Sequence, residues 1–144
     1  MFRLPIWLYR AHLGGLLGSR FVLVHHTGRS SGLARQVVVE VVERDRTAGT
    51  VTVAAGFGPR TQWYQNLLAT PAASVELGWK RYDVHAEPLT RDEAAATMVR
   101  YAERHPRAGR TLAHYMGFPA PEDAEGYREI GRSLPMLRLA PRRG

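Results

Sequence analysis

The stretch Phe21-Val22-Leu23-Val24-His25-His26-Thr27-Gly28-Arg29-Ser30-Ser31-Gly32-Leu33-Ala34-Arg35-Gln36-Val37-Val38-Val39-Glu40-Val41-Val42 decides the fold. Phe21 to His26 is a short β-rich run, Thr27 to Gly32 is a cluster of turn residues, and Gln36 to Val42 is nearly all β-branched, so a strand enters a glycine-bounded loop and a strand leaves it. Gly28-Arg29-Ser30-Ser31-Gly32 has the G-x-S-x-G form of a nucleophile elbow, but that device needs a strand turning into a helix. A strand follows here. Ser30 is therefore not expected to be an acyl-transfer nucleophile.

Working outward, Arg46 to Gly49 supplies turn residues and Thr50 to Ala55 resumes a strand, giving a meander. Thr61 to Ala69 predicts a short helix closed by Pro71, with Thr61 as N-cap and Trp63, Leu67 and Leu68 on one face. Ser74 to Trp79 and Arg81 to Leu89 alternate in polarity around Gly78 and Lys80, the pattern of a hairpin. Thr90-Arg91-Asp92-Glu93 is a capping box that opens a helix running to about Arg104. The segment His105 to Arg132 predicts two short helices broken at Gly117-Phe118-Pro119, and Leu134 to Leu139 a closing strand. Upstream, Pro5 to Gly18 places Ile6, Leu8, Tyr9, Leu13, Leu16 and Leu17 on one helical stripe. That amphipathic helix packs on the barrel or on a partner subunit, the alternative being peripheral membrane contact through Trp7, Arg3 and Arg10. Six or so strands with short inserted helices lack the βαβ alternation of a parallel sheet. The expectation is a single mainly β domain (α+β) over 1–144: an antiparallel barrel with an N-terminal helix at 1–18, a barrel core at 20–89, a helical region at 90–132 and a closing strand at 134–139.

At 144 residues, 44% of them hydrophobic, the chain can bury a core, and it contains no cysteine, which excludes disulfide frameworks, thiolate zinc sites, iron–sulfur clusters and cysteine nucleophiles. Without a visible leader or a long apolar run, the expected location is cytoplasmic. The formal net charge is +7, and all but Lys80 of the 20 basic side chains are arginines, which points to an anionic partner: nucleic acid, a membrane surface, or a small molecule bearing phosphate or carboxylate. The basic run Arg100 to Arg110 lacks interleaved aromatics and reads as a solvated helix face, so no nucleic-acid partner is expected. His25 and His26 are adjacent in a strand and point to opposite faces, and the other histidines show no ligand spacing, so no metal is expected.

Two loops carry candidate chemistry. Gly28 to Gly32 with Arg35 offers freed backbone amides, two hydroxyls and two guanidinium groups, an anion cradle, the bland alternative being a polar turn with solvated arginines. Gly56-Phe57-Gly58-Pro59-Arg60-Thr61 matches half of a dinucleotide fingerprint but lacks its third glycine and leads to a hairpin rather than a Rossmann crossover. It delivers an apolar ring, a cation and a helix N-terminus to one place, which suits an anionic or π-rich ligand. Trp63 and Tyr64 stand beside it, with core anchoring as the alternative role of Trp63.

Together, Thr27-Gly28-Arg29-Ser30-Ser31-Gly32 with Arg35, Ala54-Ala55-Gly56-Phe57-Gly58, Gln62-Trp63-Tyr64-Gln65-Asn66-Leu67-Leu68-Ala69-Thr70-Pro71 and the terminal Leu134-Pro135-Met136-Leu137-Arg138-Leu139 resemble the deazaflavin-dependent nitroreductase family. The resemblance implies a split β-barrel of the FMN-binding-barrel type that binds coenzyme F420 and passes hydride to an electron-poor small molecule, a quinone, enone or nitro compound. It implies that Arg29, Ser30, Ser31, Gly32 and Arg35 hold the coenzyme's phosphate and polyglutamate tail, that Ala54, Gly56, Phe57, Gln62 and Trp63 line the ring, and that Val38 touches it from the neighbouring strand. The chain departs from the family pattern at Ser30, where a lysine is frequent, at Val38, where a proline is usual, and at Gly56-Phe57, where serine and lysine occur; Arg60 stands in for one lost cation. Tyr127, with Tyr115 as second choice, is the implied hydrogen-bond donor to the acceptor, packing or surface tyrosine being the other reading. A non-catalytic split barrel that binds a flavin such as FMN, or a fatty-acid-like ligand, is the alternative function, and a homodimer would cover the first helix.

Overall fold

The computed structural model describes residues 20–56 and 58–142. The expected helix at 5–18 lies outside them, as does Phe57. Six antiparallel strands close a barrel in the order β1-β2-β3-β6-β5-β4: β1 (Phe21–Thr27), β2 (Ala34–Asp45), β3 (Thr50–Ala54), β4 (Ala72–Leu77), β5 (Lys80–Pro88) and β6 (Met136–Pro141). Four helices occur among the described residues: α1 (Gln62–Ala69) between β3 and β4, then α2 (Arg91–Arg104), α3 (Pro106–Tyr115) and α4 (Ala124–Ser133) before β6. None of them is long and apolar enough to cross a membrane, which says nothing about crossing by strands.

Period-two alternation builds the barrel interior. Val22 and Val24 of β1 meet Val37 and Val39 of β2, Val75 and Leu77 of β4, and Leu137 and Leu139 of β6, all 2% exposed or less. Trp63 and Leu67 of α1 close one end of this core. A second cluster lies on the outer face, where Met98 and Tyr101 of α2 and Ile130 of α4 pack on Ala54 and Met136.

The register puts a gap in the closure. β2 pairs with β1 along Ala34–Glu40, but β3 joins the other edge of β2 only from Val41↔Val53, with a register shift between Val41 and Glu43. Beyond Ala54 the chain turns to the other side, where the Ala55 amide donates to the Pro135 carbonyl at 2.9 Å. Among the described residues, no strand pairs the other edge of β2 along Val37–Glu40.

The helices are set by local chemistry. The capping box is formed: the Glu93 amide donates to Thr90 Oγ1 at 3.1 Å and the Thr90 amide to Glu93 Oε1 at 2.9 Å. Arg100 grips Glu43 through two bonds of 2.7 and 3.0 Å, and Arg104 reaches the same carboxylate, so these two arginines tie α2 to β2 instead of facing solvent alone. Their guanidinium groups hold the Glu43 carboxyl below its ordinary pKa.

Two boundaries differ from the sequence reading. Thr61 does precede α1, but its hydroxyl donates to the Gly58 carbonyl at 2.7 Å rather than accepting a helix amide, so the first turn has no side-chain cap. The closing strand begins at Met136, not Leu134, because Leu134 is buried in the outer cluster and the ladder starts at Ala54↔Met136.

Helices α2 and α4 approach closely at Gly131, where an added Cβ would lie 2.5 Å from the Ala94 carbonyl oxygen and 2.7 Å from the Ala95 Cα. Both are backbone atoms and cannot rotate away, so Gly131→Ala must push the helices apart. The expected cost is about 1–3 kcal/mol, read as a lowered urea midpoint with an unchanged slope.

Candidate functional site: a hollow between the open edge of β2 and α1

The unpaired edge of β2, the β1–β2 loop and the first half of α1 enclose an open cavity of about 570 Å³. Among the residues singled out from sequence, Arg29, Ser30, Ser31, Arg35, Val38, Gln62 and Trp63 line it. Gly28, His26, Gln36, Val37, Val39, Thr61 and Asn66 line it as well. Because the strand edge itself faces the hollow, residues from both faces of β2 reach it, Val37 and Val39 from the core side and Val38 from the other.

Gly32, Ala54, Gly56 and Arg60 are not in the lining. Gly32 shapes the loop, with φ +71° and its amide donating to the Gly28 carbonyl at 2.8 Å. Ala54 is buried in the outer helical cluster, and Arg60 is exposed on the approach to α1. Tyr127 packs into the outer cluster, and Tyr115 is 73% exposed at the end of α3 beside His114. The arrangement gives neither tyrosine a place in the cavity wall.

The loop is built to present donors. The Gly28 amide donates to the Leu33 carbonyl at 2.8 Å and the Leu33 amide to Ser31 Oγ at 3.2 Å, which folds the turn back on itself. An added Cβ at Gly28 would meet Ser31 Oγ at 2.5 Å, so this position takes no larger residue without moving that hydroxyl. Arg29 and Arg35 pair with no carboxylate among the described residues. Two exposed guanidinium groups, two serine hydroxyls and the uncapped first turn of α1 thus border the same hollow, a donor set that fits phosphate or carboxylate oxygens. Apolar Val37 to Val39, and Trp63 from that first turn, line it as well.

Asn66, absent from the sequence-level candidates, holds the two sides together. Its Oδ1 accepts from the Arg29 amide at 3.1 Å and from Arg29 Nη1 at 2.8 Å, and its Nδ2 lies 3.2 Å from His26 Nδ1. Both partners are buried, Asn66 at 6% and His26 at 7% exposure. Burial, then the positive charge of Arg35, then His25, push the His26 pKa down to about 4. His25 faces the other side of the sheet, against Glu76 at 2.5 Å and Gln36 at 3.3 Å. Among the described residues no group of three or more His, Asp or Glu side chains could hold a metal ion.

Solved structures with the same fold define the class. A structure titled "F420-H2 Dependent Reductase (FDR-A)" superposes with a TM-score of 0.56 at 23% identity, over 83% of this chain and 93% of that one. A pyridoxamine 5'-phosphate oxidase-related, FMN-binding protein from Nostoc punctiforme superposes with a TM-score of 0.57 at 13% identity, over 96% of this chain and 81% of its own. The molecule is a split β-barrel of this kind. The sequence profile of the F420H(2)-dependent quinone reductase family matches residues 1–113, and the chain belongs to that family. The F420H(2)-dependent quinone reductase of Mycobacterium tuberculosis strain H37Rv is 31% identical over an alignment of 96 positions that covers 62% of this chain and 63% of that protein. The chain thus spans less than two thirds of the length of this relative, and a reductase of Mycobacterium bovis matches to the same extent.

The buried neutral His26 sets a pH dependence of stability. The unfolded chain takes up the proton near pH 6.5 while the folded one waits until about 4, so between these values the unfolded state binds more protons and stability falls as pH falls. At about 1.4 kcal/mol per pKa unit the whole loss is about 3 kcal/mol. In His26→Asn this component disappears, and urea midpoints of variant and wild type should converge between pH 7.5 and about 4.5. Parallel pH profiles would show that His26 is not the group responsible.

Proposed function

We propose that the protein is a deazaflavin-dependent reductase that binds coenzyme F420 in this hollow and transfers hydride to an electron-poor acceptor, a quinone being the class favoured. The observation that carries the reading is the mixed lining of one cavity, where Arg29, Arg35, Ser30 and Ser31 stand with apolar Val37 to Val39 and Trp63. A ligand with a flat ring joined to an anionic tail is complementary to both kinds of lining at once. Family membership and the names of the relatives support the same cofactor and acceptor.

When bound, F420H2 supplies the hydride, so the chain's own task is placement. Arg29 is already pinned by Asn66 and loses little side-chain freedom when its remaining N–H groups meet the tail. Arg35 adds a second fork from the start of β2, and the serine hydroxyls fix oxygen positions. Val38 and Trp63 exclude water from the ring end, and Gln62 stands at its rim. Gly32 holds the loop shape; Ala54, Gly56, Phe57 and Arg60 would act from the β3–α1 connection. Tyr127 or Tyr115 would serve as donor to the acceptor only from outside this wall. The assembly we favour is a homodimer, in keeping with a similar fold titled a domain-swapped dimer, which superposes with a TM-score of 0.58 at 23% identity over 94% of this chain and 99% of that one.

The reading is tested by titrating the purified protein with oxidised F420 and with FMN by fluorescence, then following F420H2 oxidation by a water-soluble quinone. Submillimolar F420 binding with quinone-dependent oxidation is expected. F420 binding without turnover on quinones, enones and nitroaromatics would favour the non-catalytic barrel, and preference for FMN would overturn the cofactor.

Arg29→Ala and Arg35→Ala each remove charge-assisted hydrogen bonds of about 1.5–3 kcal/mol, a loss of roughly ten- to a hundred-fold in F420 affinity. The loop should stay in place in Arg29→Ala, because the backbone amide of residue 29 still donates to Asn66. Turnover at saturating coenzyme should barely change, since a tail remote from the reacting carbon binds ground and transition states alike. Trp63→Ala should depress turnover instead, having loosened the ring end.

A further inference from the structure

Asn66 is a buried amide with one oxygen and one nitrogen, and the structure leaves no freedom in how they are used. Arg29 directs two N–H groups, its backbone amide and Nη1, at one atom of the side chain, and only a carbonyl oxygen accepts both. The other atom is therefore the NH2 group, and it is the atom that faces His26 Nδ1 at 3.2 Å. An NH2 group can only donate, so His26 Nδ1 must accept. A neutral imidazole that accepts at Nδ1 carries its proton on Nε2. Nε2 has no partner among the described residues, and His26 lines the cavity. One helix side chain thus determines, through two opposite hydrogen bonds, both the anchoring of the anion-binding arginine and the tautomer of a histidine in the same hollow.

We propose that Asn66 is a positioning residue that holds His26 as a fixed Nε2–H donor toward the cavity, and that this N–H recognises an acceptor edge of the bound ring. The inference rests on the reading that the hollow takes a ring with an anionic tail, and it adds what the ring must offer: a carbonyl oxygen or an unprotonated ring nitrogen beside β1. The charged and titratable groups that act on His26 are Arg35 on β2 and, across the strand, His25, while α1 contributes the uncharged Asn66. Among the described residues no carboxylate pairs with the ring, so nothing favours a second proton and the donor stays single and directional.

Histidine side-chain ¹⁵N NMR of the ligand-free protein at neutral pH should show His26 as the Nε2–H tautomer; the Nδ1–H form, or a mixture, overturns the proposal whatever the protein binds. F420 titrations then test the role. His26→Gln places an amide near the former Nε2 and should stay within about three-fold of wild type, whereas His26→Asn keeps an acceptor near the former Nδ1, ends short of the ring and should bind about ten-fold more weakly. Competition by inorganic phosphate should be equal in both, since the cradle is untouched. Asn66→Asp keeps an acceptor for Arg29 but turns the second contact round, so that His26 Nδ1 donates and Nε2 is bare. Its F420 affinity should be about ten-fold low at high pH and recover as His26 protonates, a profile that wild type lacks and that a purely structural role for Asn66 would not produce. Unchanged affinity in His26→Asn, or a flat profile in Asn66→Asp, overturns the donor role while leaving F420 as the ligand. Failure of the wild type to bind F420 overturns the functional reading and the donor role together, and the NMR result alone then decides how Asn66 sets His26.

Discussion

Everything distinctive in this molecule follows from the point at which β3 stops pairing with β2. The meander of β1, β2 and β3 could zip from end to end, but the β2–β3 ladder starts only at Val41, while β2 has already run from Ala34 along β1. An open strand edge inside a barrel wall is costly if it is buried bare, because its amides and carbonyls need partners. The chain answers by sending α1 across the opening and keeping the gap accessible. Trp63 and Leu67 seal the core side, and Val37 to Val39 of β2 line the hollow.

Placing a helix over a hollow instead of over a packed surface forfeits apolar contact, and a directional interaction has to fix its position. Asn66 provides it. A buried amide left unsatisfied costs about 1–3 kcal/mol, so the three bonds it makes to Arg29 and His26 are as much a condition for burying Asn66 as a reward for doing so. The same bonds organise the site: they tie the loop to α1 and hold the Arg29 guanidinium against Asn66, while burial and the charge of Arg35 keep the His26 pKa well below its ordinary value.

The barrel was legible because its signals are local. Six β-rich runs, a turn at Arg46–Gly49, a hairpin around Gly78 and the Thr90/Glu93 capping box each need only neighbouring residues to be read, although the hairpin turn itself is Gly78-Trp79 and Lys80 belongs to the strand. That Arg29, Ser30, Ser31 and Arg35 stand close together was legible for the same reason, since three sit in one turn and Arg35 begins the strand that leaves it. What escaped depends on distance along the chain. Asn66 lies 37 residues from Arg29 and 40 from His26, and nothing in an N-L-L-A helix distinguishes a buried bridge from a solvated asparagine. His26 was weighed only against His25 as a metal ligand; the alternation argument placed the two on opposite faces, but it could not say that one face holds Glu76 and the other an amide. Thr61 failed as a cap because Gly58 turns its carbonyl toward the hydroxyl, a loop geometry that propensity does not contain. Leu134 looked like strand because apolar residues in a short run satisfy a sheet and a helix cluster equally well.

Net charge was a weak clue until the partners were known. Several acids are engaged by arginines outside the cavity lining: Glu43 by Arg100 and Arg104, Glu93 by Arg138, Glu125 by Arg128 and Arg132, and Glu40 by Arg20. These exposed pairs add little stability apiece, but they neutralise each other locally, so the excess of +7 is not spread evenly over the surface. In the cavity lining Arg29 and Arg35 pair with no acid among the described residues, and burial and the charge of Arg35 push the pKa of His26, in the same lining, down to about 4. A positive potential without a competing carboxylate attracts anions, while uncharged lining takes a ring without desolvating a charge. The arginines beside apolar lining, rather than the total charge, are what support the proposed ligand, a ring with an anionic tail.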